Sequence, residues 1–129
     1  MTSGSQGWRW AAGAAGLGAL AVALGAFGAH ALEDAVPPGR LETWRTGALY
    51  HLVHSLAGVA AGVLAAVSSS RMSLWAARLF VAGVVLFSGS LYALVLLDLG
   101  VLGAVAPLGG GAFIAGWTLL AVGLWKRSR

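Results

Sequence analysis

A chain of 129 residues that is 59% hydrophobic and only 9% charged has too little polar surface to cover a water-soluble particle, since ordinary globular chains carry about a quarter of their residues as Asp, Glu, Lys and Arg. Its mean hydropathy of +0.86 places it in the integral membrane class. The apolar content excludes a disordered chain, and the lack of any cysteine excludes disulfides, thiolate metal sites and cysteine nucleophiles together.

A hydrocarbon core about 30 Å thick needs about 20 apolar residues at a rise of 1.5 Å each. Four runs meet that demand. Residues 10–29 carry no charge, and residues 46–67 hold only His51, His54 and Tyr50 as ionisable groups. Residues 79–97 and the shorter run 109–125 are also uncharged. The first connection contains Glu33, Asp34, the turn signal Pro37-Pro38-Gly39 and Glu42, which reads as a polar loop followed by a short helical lead-in. Ser68-Ser69-Ser70-Arg71 is a tight connector, and residues 98–108, with Gly100, Gly103 and Pro107, form a loop that enters a helix amino-terminus. The expected fold is all-α, an integral membrane antiparallel four-helix bundle forming a single transmembrane domain over residues 1–129.

Four crossings put both termini and the second connector on one side. That side holds Arg9, Arg71, Arg78, Lys126, Arg127 and Arg129; the other holds Arg40 and Arg45 with all four acids, Glu33, Asp34, Glu42 and Asp98. The positive-inside rule then predicts cytoplasmic termini in a cell inner membrane. The net charge of +4 reflects this topology, so no nucleic-acid partner is expected. Tryptophan prefers the headgroup level, and Trp8, Trp10, Trp75 and Trp125 fall at the predicted cytoplasmic interface and Trp44 at the outer one, leaving only Trp117 inside a span. Ala29-His30-Ala31 resembles a signal-peptide cleavage site, but the run before it is longer than such a signal needs.

Helices in lipid associate through close packing and interhelical hydrogen bonds, so small residues mark contacts. In the first span Ala14, Gly18, Ala21, Gly25 and Gly28 form a seam beside a bulky stripe of Leu17, Leu20, Leu24 and Phe27. In the second, His51, His54, Gly58, Ala61 and Ala65 share a face that includes the small-xxx-small pair Gly58 and Gly62. Ala112 and Gly116 offer a third contact.

Histidines within spans are uncommon and usually face protein or water. The topology predicts an outer-half polar cluster of His30, His51, His54, Ser88, Tyr92 and Asp98, with Glu33 and Arg45 just above and Ser90 on the same span. The readings of this cluster are interhelical hydrogen bonding, three imidazoles on a Zn²⁺ or Cu²⁺ ion, two histidines on haem iron, or a proton or small-solute pathway. No catalytic, cofactor-binding or metal-ligating set is assigned and no cofactor is expected. Ser88 and Ser90 lack a base with an orienting acid, and Gly109-Gly110-Gly111 lacks the context of a phosphate loop.

Four segments, GAFGAHAL from Gly25, YHLVHSLA from Tyr50, FSGSLY from Phe87 and PLGGGAFIAGW from Pro107, together carry a resemblance across nearly the whole chain. The chain resembles domain-of-unknown-function family 423, small bacterial inner-membrane proteins related to eukaryotic transmembrane protein 256. The resemblance implies a four-helix protein that keeps its first span, and no established activity. Matching positions are His30, Tyr50, His54, Ser88, Gly89, Ser90, Tyr92, Pro107, Gly109, Gly110, Phe113, Gly116 and Trp117. The family pattern usually has Gln at position 51 and Ala at position 55, which leaves His30 and His54 as the favoured pair. The expected role is a non-enzymatic bundle that packs with copies of itself or within a larger membrane complex, with the lipid bilayer as its surroundings. The alternative is a ligand, metal, haem or proton site at His30 and His54.

Overall fold

The computed structural model describes residues 2–129, and they form four long helical spans with no strand among the described residues. Three of the four apolar runs lie inside longer helices, and the run 79–97 lies inside a longer helical span. Helix α1 (Ser3–His30) starts where the Thr2 hydroxyl accepts the Ser5 N–H at 3.3 Å. Helix α2 (Pro38–Ser68) starts on a proline, whose missing N–H costs nothing in a first turn, so the helical lead-in expected before residue 46 is present. It stops at Ser69, which adopts left-handed φ 51°. Ser70 then caps α3 (Arg71–Gly83) by accepting the Ser73 N–H at 3.2 Å.

The third span is not one regular helix. After α3 comes a π-helical turn, Val84–Ser88, and then α4 (Gly89–Leu97), which ends at Asp98 with φ 52°. The Gly89 N–H reaches back to the Val84 carbonyl, five residues earlier. A π turn is in effect one residue inserted into an α-helix, so α4 is turned by about 100° relative to an unbroken continuation of α3. The connection expected at 98–108 contains a 3₁₀ turn, Gly100–Ala104, and α5 (Ala106–Arg127) comes next with Pro107 in its first turn.

In cross-section the bundle is a rhombus. Helix α1 lies along α2 and also touches α3, while the third span touches every other span; α5 packs its backbone against the third span. The α1–α2 seam is a close backbone approach. Gly7, Ala11, Ala14, Ala21 and Gly28 are buried on α1, where Gly7 and Ala11 meet Gly62, Ala14 meets Gly58 and Gly28 meets Trp44 of α2. A Cβ on Gly62 would lie 2.7 Å from the Ala11 nitrogen and 2.9 Å from its Cα, so backbone meets backbone there. The seam expected from Ala14, Gly18, Ala21, Gly25 and Gly28 holds except at Gly25, where an added Cβ meets nothing within 4 Å.

Helix α5 packs by a related device. Gly109, Gly116 and Gly123 recur every seven residues, and they receive Phe87, Phe80 and Met72 of the third span. Phe80 is fully buried, at the centre of a cluster with Ala57, Ala61, Ala76, Ala77, Val84, Phe113 and Leu120. A second cluster, Leu32, Leu41, Trp44, Leu94 and Val95, closes the end of the bundle that carries the two longer connections.

Sequence alone puts Trp44 at the membrane interface with its N–H in water, and the structure corrects this. Trp44 is 1% exposed. Gly28 lacks the Cβ that would strike the indole, and Nε1–H donates to the Leu24 carbonyl at 2.8 Å, so the ring replaces its water partner with a helix carbonyl. Trp8, Trp75 and Trp125 are more than half exposed, as belt residues require. Near the same end, Arg78 lies over the rings of Trp75 at 4.8 Å and Trp10 at 5.8 Å and donates to the Gln6 side chain.

Candidate functional site

The expected polar cluster does not form one site. His30 is exposed on the last turn of α1. Gly18 faces Ser55, Ala14 faces Gly58 and Gly28 faces Trp44, so antiparallel register places His30 opposite residues 42–43, about 17 Å along the bundle from His54 at 1.5 Å per residue. The pair favoured from sequence therefore does not converge, and neither do three imidazoles on one metal. Among the described residues no group of three or more His, Cys, Asp or Glu is placed to hold an ion. Glu33 and Arg45 are exposed, and Asp98 pairs with Arg40 at 3.0 Å, with the Asp98 side chain 84% exposed. Ser90 bonds only its own helix, at the Phe87 carbonyl, 2.8 Å away.

His54 is buried between α2 and α5, and both ring nitrogens are occupied. Nδ1–H donates to the Tyr50 carbonyl one turn back at 2.7 Å, and Nε2 accepts the Trp117 indole N–H at 3.1 Å. These partners define the Nδ1–H tautomer and leave no lone pair free for a metal. The imidazole stacks on Phe113 with centroids 3.5 Å apart and an interplanar angle of 11°, and on Tyr50 at 5.7 Å. Trp117 in turn packs edge-on against Phe80 at 5.0 Å. His54 thus couples two helices whose backbones stay apart. A cavity of about 560 Å³ lies outside this contact, lined by Tyr50, Val53, His54, Phe87, Phe113 and Trp117 among others.

His51 faces the other way, toward α4. Its Nδ1 and the Tyr92 hydroxyl are 2.9 Å apart, Tyr92 packs on Trp44 with centroids 4.5 Å apart, and Ser88, fully buried, donates to the Gly47 carbonyl at 2.7 Å. The π turn makes this possible, because the rotation it adds presents Ser88 and Tyr92 to α2. Ser88, Tyr92 and His51 therefore do come together, with α4 and α2 as the two walls. His54 belongs to a separate site.

Two buried side-chain atoms among the described residues have no hydrogen-bond partner: His51 Nε2 and Ser55 Oγ. They sit one turn apart on α2, at the two positions where the resemblance expects Gln and Ala. Sequence reading missed Trp117 as the partner of His54 and Phe113 as its stacking surface. The heptad of Gly109, Gly116 and Gly123 was the available signal that this face of α5 turns inward.

Residues 24–110 match the family profile described as "Protein of unknown function (DUF423)". The chain is 47% identical over 111 residues to the UPF0382 membrane protein YwdK of Bacillus subtilis, covering 83% of this chain and 88% of that protein. It is 42% identical over 107 residues to a UPF0382 membrane protein of Staphylococcus aureus, and 40% identical over 107 residues to one of Staphylococcus saprophyticus, covering 83% of this chain in each case, with 87% and 88% of those proteins matched. No solved structure matches. With a family match spanning two helical spans and more, relatives named as membrane proteins and four apolar helices of its own, the chain is a membrane protein of the DUF423 family.

Proposed function

We propose that this is a non-enzymatic protein of the bacterial inner membrane that works by association, and that α1 supplies the contact to a second copy. The observation that carries this reading is the outward face of α1. Ala12, Gly16, Ala19, Ala23 and Ala26 are spaced in steps of four, three, four and three, and all are exposed. Surfaces that meet only lipid have no need of small residues, and the other helices set large outward residues such as Leu49, Leu56, Leu108 and Ile114, 59 to 71% exposed, among their exposed small ones, Ala60, Gly111, Ala115 and Ala121. A small heptad stripe lets a second backbone approach closely. Within the most apolar 18 residues of α1, only 22% are buried.

The absence of cysteine makes the test simple. Cysteine placed at Ala19 is expected to form a disulfide-linked dimer in native membranes, while cysteine at Leu56 on the lipid face of α2 does not. Gly16→Leu is expected to reduce the Ala19→Cys crosslink at least about fivefold, because an added Cβ at Gly16 meets nothing within the protomer. Equal crosslinking from both faces, or none from Ala19, refutes the reading; a different protein joined at Ala19 assigns the face to a larger membrane complex instead. The six-to-two distribution of basic residues supports cytoplasmic termini. Cysteine at Arg129 should then react with an impermeant maleimide in inverted vesicles and not in intact cells.

A further inference from the structure

We propose that Arg78, held between α1 and α3 by Trp10, Trp75 and Gln6, binds the phosphate of an anionic lipid in the leaflet on the side of the two termini. Arg78 lies seven residues past the start of the third span, about 10 Å at 1.5 Å per residue. A charge placed within a span pairs with another group or reaches water. No carboxylate of this chain serves it. The one ion pair among the described residues is that of Arg40 with Asp98, and all four acids, Glu33, Asp34, Glu42 and Asp98, lie toward the other end of the bundle. The guanidinium has five N–H groups, and the bond to the Gln6 side chain takes one. The rings of Trp75 at 4.8 Å and Trp10 at 5.8 Å attract the cation but supply no acceptor atom. Arg78 is therefore fixed in place with most of its donors and its whole charge left for a partner from outside the chain.

The depth of the guanidinium selects the partner. Helical side chains lean toward the amino-terminus of their helix, so Arg78 reaches back toward the end where the third span begins. Its contacts agree: Trp75 stands one turn earlier on α3, and Gln6 and Trp10 stand near the start of α1. Trp75 is 51% exposed, at the level where indole rings meet headgroups. Lipid phosphates occupy that level, so the stem of Arg78 lies along hydrocarbon while its charged head meets them. A planar guanidinium pre-set by two rings and an amide matches a pair of phosphate oxygens. Arg9 and Arg71, exposed at the same end, add positive potential and favour a lipid with net negative charge over a zwitterionic one. Half-buried among indoles, Arg78 also favours a phosphate that brings its own apolar body over the hydrated free ion.

The test uses the full chain in lipid discs made from equal amounts of phosphatidylglycerol and phosphatidylcholine with the same acyl chains, released into a native mass spectrometer. The parent is expected to retain phosphatidylglycerol over phosphatidylcholine by about fivefold, the preference that one basic residue near the surface confers. Arg78→Gln should bring the ratio close to one, while Arg71→Gln and Arg127→Gln, which remove the same charge at the same end, should leave it near the parent value. A second readout needs only the folded parent. With arginine labelled by ¹⁵N and the Arg78 signal assigned through Arg78→Lys, that signal should move to a saturating end point as phosphatidylglycerol replaces phosphatidylcholine, and stay in place when inorganic phosphate is added to phosphatidylcholine discs. Equal retention of the two lipids by the parent, a preference that survives Arg78→Gln, an equal fall in all three variants, or an Arg78 signal that ignores phosphatidylglycerol overturns the proposal. So does displacement of the lipid by inorganic phosphate, since that assigns the site to the free ion. None of these outcomes depends on whether α1 pairs with a second copy.

Discussion

The α1–α2 seam makes the sharpest stability prediction. In Gly62→Ala the new methyl would stand 2.7 Å from the Ala11 nitrogen and 2.9 Å from both its Cα and its Cβ, where ordinary contact begins at 3.4 Å. The shortfall is about 0.7 Å against main chain, so no rotamer change relieves it and the two helix axes must separate. That separation extends to Gly7, which sits over the Ala66 main chain, and to the contact of Gly58 with Ala14, loosening a whole row of dispersion contacts. Overpacking of this kind costs about 1–3 kcal/mol, and the upper half of that range is expected because the obstacle is backbone on both sides. The assay is reversible unfolding in mixed micelles with increasing SDS, monitored by far-UV circular dichroism. Gly13→Ala is the control, since its Cβ meets nothing within 4 Å, and it should fall within about 0.5 kcal/mol of the parent. Equal midpoints for the two variants would refute close backbone approach as the main tie between these helices.

The polar contacts and the helix ends give three further outcomes. Trp117→Phe keeps an aromatic ring beside Phe80 but leaves His54 Nε2 buried without its donor, and should cost about 1–3 kcal/mol in the same unfolding assay; a loss below about 0.5 kcal/mol would show that water or another group replaces the indole. Ser55→Ala removes a buried hydroxyl that has no partner, so stability should stay level or rise by up to about 1 kcal/mol, and a clear loss would mean the hydroxyl is bonded in the membrane. Ser69→Gly relieves a left-handed residue at the end of α2, where φ is 51°, and is expected to raise stability by about 0.5–1 kcal/mol. An unchanged or lower midpoint would mean that the turn relaxes out of the left-handed region in the membrane.

Much of the architecture was legible because hydropathy is a local, additive property. The four uncharged runs mark four helices, Pro37-Pro38 marks the start of α2, and the stripe of His51, His54, Gly58, Ala61 and Ala65 is buried in full. The small-residue seam was legible for the same reason, because Gly and Ala at alternating steps of four and three permit close approach whichever neighbour they meet. Gly25 shows the limit: it keeps the spacing, but near it α2 presents Trp44, whose indole sits over Gly28 instead.

The composition and order of residues determined that this chain lies in lipid as four helices and that two of its histidines stand within a span, on a face that packs against protein. Which partner each of them takes was decided by the tertiary structure alone. Hydrogen bonding needs atoms within about 3 Å, a scale set by helix register and rotation and not by hydropathy. Antiparallel register holds His30 far from His54, the heptad of glycines on α5 brings Trp117 to His54, and one inserted residue at the π turn rotates Tyr92 onto His51. That inserted residue carries no distinctive side chain, in the run Val84-Val85-Leu86-Phe87-Ser88, so nothing local announces it. It exists because the bonds it allows, Ser88 to Gly47 and Tyr92 to His51, form only when the helices have already met.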